Sequence, residues 1–88
     1  VVTDLSGRPC LIYKVDFNRV QIGTMATEDF KEFFQAFANN CLCNLHIEVL
    51  YGENDHHKIE AVFKGFGRAM KKAAGITSDI LQSTKGAL

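Results

Sequence analysis

The stretch Gly52–Lys64 reads GENDHHKIEAVFK. It opens on turn-forming residues, and Ile59, Val62, Phe63, Phe66 and Met70 then recur at helical spacing. That pattern predicts an amphipathic helix over about Asp55–Ala74, entered from a strand and closed by Gly75. His56, Glu60 and Lys64 fall at i, i+4 and i+8, so they stack along one face of the helix. His57 lies roughly 100° around the axis from His56. Adjacent helical residues point too far apart to chelate one ion comfortably. The cluster therefore suggests two metal sites sharing one helix, with partner ligands supplied from elsewhere. The positive end of the helix dipole disfavours histidinium there and favours neutral imidazole, the form that binds metal. Spacing alone leaves three readings open: a metal site, a general acid/base pair, or solvated surface residues.

Upstream, Asn44–Tyr51 alternates as a strand, with Leu45, Ile47 and Val49 on one face and His46, Glu48 and Leu50 on the other. Before it, Phe30, Phe33, Phe34 and Phe37 form a full helical stripe that packs a core. Thr27 is placed to cap that helix, Glu28 and Asp29 suit its first turn, and Asn39-Asn40 suit its end. Val1–Leu5 and Pro9–Val15, separated by SGRP, read as an antiparallel hairpin, and Arg19–Ile22 as a short further strand. Gly65 and Gly67 inside the second helix suggest close helix–helix approach. The polar stretch Gln82–Gly86 reads as a loop or tail. The order β-β-(β)-α-β-α describes one sheet with two helices on one face, an α+β two-layer sandwich.

The bulk numbers suit that reading. Eighty-eight residues make one small domain, residues 1–88. Ten positive charges against ten negative argue against a nucleic-acid or membrane-surface binder working by bulk electrostatics. No apolar run approaches membrane-spanning length. The opening VVTDLSGRP reads as mid-protein strand and turn, which suggests a fragment of something longer. Cys10, Cys41 and Cys43 are odd in number and lack zinc-knuckle spacing, so they read as reduced core thiols of a cytoplasmic protein.

Two nitrogens and one carboxylate do not fill the shell of a borderline-hard ion such as manganese, which takes about six N/O ligands. Glu32, on the outer face of the first helix, is the best additional candidate within the chain, against the plainer reading of a surface salt-bridging residue. His46 reads better as a packed, hydrogen-bonded histidine than as a ligand. Arg8, Lys64, Ser83 and Lys85 carry the groups that a phosphate monoester needs, although spacing does not show that they meet and solvated charges are the alternative. Nothing in the pattern singles out a catalytic acid or base.

At SGRP, FFQAFANN, LHIEVLYGENDHHKIEAVFK, GRAMKKA and STKGAL the chain resembles the imidazoleglycerol-phosphate dehydratase family, over its whole length but only in the second half of that enzyme. The resemblance implies a half-domain of the ribosomal protein S5 domain 2-like fold, a four-stranded sheet carrying two helices. It implies the dehydration of imidazole glycerol phosphate to imidazole acetol phosphate in histidine biosynthesis, by a homo-oligomer of 24 subunits with two manganese ions between subunits. His56, His57 and Glu60 map onto metal ligands, and Glu32 onto a further ligand position that is often histidine in relatives. Arg8, Lys64, Ser83 and Lys85 map onto phosphate-binding positions. The implied partner is the first half or a second copy of this one. A non-catalytic metal-binding or assembly half-domain, inactive alone, is the rival expectation.

Overall fold

A computed structural model of the chain describes the backbone of residues 1–86 and the side chains of residues 1–75. The elements in order are β1 (Val2–Asp4), β2 (Cys10–Lys14), β3 (Gln21–Ile22), β4 (Met25–Ala26), α1 (Thr27–Cys41), β5 (Asn44–Glu48) and α2 (Asp55–Gly86). β5 is the middle strand of a three-stranded mixed sheet ordered β1-β5-β2. β1 runs antiparallel to it, with Thr3 opposite Leu45, and β2 parallel, with Leu11 opposite Leu45 and Tyr13 opposite Ile47.

The expected β1–β2 hairpin is therefore split by β5. Leu45 and Ile47 are 0% exposed, and the strand whose inward side chains are most deeply buried takes the central position, where both of its edges are paired. The β1–β2 connection accordingly turns beside the end of α1 rather than tightly on itself. Gly7 takes φ 82°, open to glycine at little cost, and its N–H donates to the Leu42 carbonyl at 2.9 Å. β2, α1 and β5 form a crossover between parallel strands, which a tight hairpin could not provide. The short strand expected at 19–22 instead pairs with β4, in a two-stranded ribbon separate from the main sheet. Among the described residues the sheet thus has three strands and a satellite hairpin in place of four strands.

Both helices lie on one face of the sheet, α1 over β2 and α2 over β1. Phe30, Phe34 and Ala38 from α1, Ile59, Val62 and Phe66 from α2, and Cys43, Leu45 and Ile47 from the central strand and its approach form one buried cluster. The alternation expected of β2 holds, with Leu11, Tyr13 and Val15 packed against that cluster and Cys10, Ile12 and Lys14 outward. The helices meet through phenylalanine rings: Phe34 to Phe63 at 5.3 Å, Phe34 to Phe66 at 5.2 Å and Phe37 to Phe66 at 4.8 Å. Phe33 and Phe63, 47% and 41% exposed, lie on the solvent side of that seam.

Three local expectations are corrected. Thr27 is the first residue of α1 rather than its cap, because its hydroxyl donates to the Arg19 carbonyl at 3.0 Å. α1 ends at Leu42, a left-handed residue whose N–H returns to the Ala38 carbonyl, two positions beyond the asparagines. α2 continues through Gly75 to Gly86, so neither a cap at Gly75 nor a loop at Gln82–Gly86 forms. The chain's single proline is Pro9, so none stands after Gly75 to stop the helix.

Candidate functional site

The turn from β5 into α2 sets the site. Gly52 takes φ 141°, a conformation side chains rarely adopt, and lets the chain reverse after Tyr51. Asn54 then caps the helix: its Oδ1 accepts the His57 N–H at 3.0 Å and its carbonyl accepts the Lys58 N–H at 3.0 Å. With the first turn fixed, His56 and Glu60 stand one above the other, Nε2 to Oε1 at 2.8 Å. Their side chains are 65% and 54% exposed. A contact that open contributes little to stability, and both groups remain accessible to an incoming ligand.

The two histidines open onto different hollows. His56 lines a cleft of about 340 Å³ with Asn18, Arg19, Ile22, Gly23 and Asp55. His57 lines a second, of about 190 Å³, with Val49, Tyr51, Lys58 and Ala61. The two hollows adjoin, sharing Glu53 and Asn54. Lys64 is exposed two turns beyond His56, roughly 12 Å along the axis at 1.5 Å per residue.

Among the described side chains, the other candidates are not brought to this point. Glu32 is exposed on α1, and among the described residues no group of three or more His, Cys, Asp or Glu side chains converges to hold a metal. Arg8 precedes β2 at the end of the sheet where β5 begins, whereas α2 starts beyond the end where β5 finishes. Arg8 and His56 are thus at opposite ends of the layer. Ser83 and Lys85 lie on α2 outside the residues whose side chains are described. His46 is half-buried on the outer sheet face, its Nε2 3.9 Å from Glu48 Oε2. All three cysteines are free, but Cys43 alone is buried, and Cys10 and Cys41 are exposed, which corrects the expectation of three core thiols. Burial pushes the Cys43 thiol above its ordinary range.

Asp55 escaped the sequence reading, which placed it only as the start of a helix. It is buried, and its carboxylate accepts backbone N–H groups from Asn18 at 3.0 Å and Arg19 at 2.8 Å. The Asn18 N–H, and after it the Arg19 N–H and the Lys58 ammonium at 3.6 Å, hold its carboxyl below the usual range against the opposing effect of burial. An acid in a helix's first turn is the signal the sequence offers; its partners some 36 residues away are not visible there.

Among the described residues, no helix is long and apolar enough to cross a membrane. A family model of imidazoleglycerol-phosphate dehydratase matches residues 1–70. The chain is 56% identical over 90 residues to the imidazoleglycerol-phosphate dehydratase of Trichlorobacter lovleyi, covering 100% of this chain and 46% of that protein. To the enzyme of the same name from Clostridioides difficile it is 51% identical over 88 residues, covering 100% and 46%. The chain thus spans about half the length of the curated relatives it matches. The crystal structure of imidazoleglycerol-phosphate dehydratase from Staphylococcus aureus superposes with a TM-score of 0.74 at 43% identity, over 76% of this chain and 39% of that one. The sheet, the paired helices and the histidine-bearing start of α2 are those of a half-length sequence, and the chain belongs to the imidazoleglycerol-phosphate dehydratase family.

Proposed function

We propose that this chain supplies half of a metal-dependent active site that dehydrates imidazole glycerol phosphate to imidazole acetol phosphate, a lyase step of histidine biosynthesis in the cytoplasm. The observation that carries the reading is the His56–Glu60 pair, 2.8 Å apart and exposed, with His57 beside it over a separate hollow. Two imidazoles and a carboxylate are the N/O donor set of a borderline-hard ion, so the residues present fit manganese. Glu60 orients the His56 ring, which sets the nitrogen it presents. When bound, a manganese pair would supply Lewis-acid polarisation of the substrate's ring and hydroxyl. Lys64 is placed to attract the phosphate, while Arg8, at the far end of the sheet, suits a phosphate bound mainly by another copy. Ser83 and Lys85 complete the proposed anion set, and Glu32 the metal shell of a neighbouring subunit.

An incomplete donor set points to a shared site, hence to a homo-oligomer, of 24 subunits in the intact enzyme, or to association with the first half. The test is manganese titration joined to a dehydration assay, on the chain alone and mixed with the first half. Manganese binding with turnover in the mixture is expected, and His56→Ala or Glu60→Ala should weaken binding at least tenfold. Tight binding with no turnover in either preparation would leave the rival reading, a metal-binding assembly half-domain without catalysis. Assembly unchanged by either substitution and by chelation would remove the shared metal from the interface.

A further inference from the structure

Asp55, the first residue of α2, is 7% exposed, and both of its oxygens are taken by backbone from a distant segment. Oδ1 accepts the Asn18 N–H at 3.0 Å and Oδ2 the Arg19 N–H at 2.8 Å. Two further bonds run between the same segments. The Lys58 ammonium donates to the Asp16 carbonyl at 2.9 Å, and the Asn18 side-chain amide to the Glu53 carbonyl at 2.8 Å. Residues 16–19 are thus sewn to residues 53–58 by four hydrogen bonds spanning 35 to 42 residues of chain.

Capping does not explain this arrangement. Asn54 already accepts the His57 N–H, and a first-turn acid interacts favourably with the helix dipole without being buried. Burying a carboxylate is costly unless it is fully hydrogen-bonded, so the two N–H groups and the nearby ammonium are what make this burial tolerable. The next residue in the chain is His56, and Asn18, Arg19 and Asp55 line the same cleft as His56. We infer that Asp55 is a positioning residue for the proposed metal ligands, clipping residues 16–19 to the first turn of α2 and so fixing where His56, His57 and Glu60 stand relative to the sheet. This rests on the metal-binding reading above. Donors shared between chains need placement to within about 0.5 Å, which a fraying helix start does not provide.

The test compares the wild-type chain with Asp55→Asn, which keeps the shape and one acceptor oxygen, and Asp55→Ala, which keeps neither. Manganese is titrated into each and followed by paramagnetic broadening of the histidine ring resonances. Amide hydrogen exchange at Asn18 and Arg19 is measured in parallel, at a temperature where circular dichroism shows full folding. Exchange at both amides should accelerate, and manganese binding should weaken about tenfold in D55N and further in D55A. Should D55A fail to fold, Asn18→Ala, which removes only the contact to Glu53, joins D55N in its place and should weaken binding in the same direction. Wild-type manganese affinity in a folded D55N whose amides exchange faster would overturn the positioning role alone. Absence of manganese binding by the wild-type chain would overturn the metal reading beneath it.

Discussion

His56 and Asp55 are neighbours with opposite circumstances, and the contrast decides what each can do. The His56–Glu60 pair is open to solvent, so removing it should hardly change stability while removing the two proposed metal ligands. Asp55 is buried and bonded, so its loss should be felt by the fold. Its carboxyl is held below the ordinary carboxylate value, chiefly by the Asn18 N–H. A depressed folded-state pKa adds stability that is fully present above the unfolded value of about 4 and is lost as pH falls through the folded value. Denaturant melts should therefore show wild type more stable than D55N at neutral pH. The gap should narrow steadily below about pH 4. A gap of constant size down to pH 2 would show that the charge of Asp55 contributes nothing.

At the level of elements, α2 carries the most information. Of its three interior glycines, Gly65 and Gly67 are the pair whose position suggests helix–helix contact, but only Gly65 faces anything. A Cβ at Gly65 would stand 3.1 Å from the Cγ2 atom of Val1, the residue before β1, whereas one at Gly67 meets nothing within 4 Å. Glycine in a helix interior costs about 1 kcal/mol against alanine. Gly67→Ala should accordingly raise stability by about 0.5–1 kcal/mol, and Gly65→Ala by distinctly less or not at all. Thermal melts of the two variants side by side give the comparison; an equal gain from both would mean that Val1 moves aside freely. The same packing explains why the helix stripe was legible while its partner was not. Periodicity shows which face is apolar, not which element covers it.

Across the whole molecule, the phenylalanines divide between two duties. Phe34 is 0% exposed and touches rings on both helices and Tyr13 on the sheet. Phe34→Ala should cost about 3–5 kcal/mol by urea denaturation, enough to unfold a domain of this size. Phe33, 47% exposed beside Phe63, should cost about 1 kcal/mol or less when cut to alanine in the monomer. If the chain assembles through its helix layer, replacing Phe33 and Phe63 together by serine should lower the sedimenting mass while leaving the circular dichroism spectrum intact. An unchanged mass would place the assembly contact elsewhere.

The periodic stripes of both helices, the alternation of β2 and β5, and the HHKIE run were all legible in the chain itself, because each is a local repeat whose physical meaning needs no partner. So was the number of candidate donors on that run, since counting them requires no coordinates. Tertiary structure decided what depends on distant segments meeting. It placed β5 between β1 and β2, where the most deeply buried strand is paired on both sides. It carried α2 past Gly75 and put Arg8 at the far end of the sheet from His56. It also bonded Asp55 to Asn18 and Arg19, a contact that pairs a carboxylate with backbone N–H groups every residue but proline possesses. No side-chain pattern in the sequence could announce that partner.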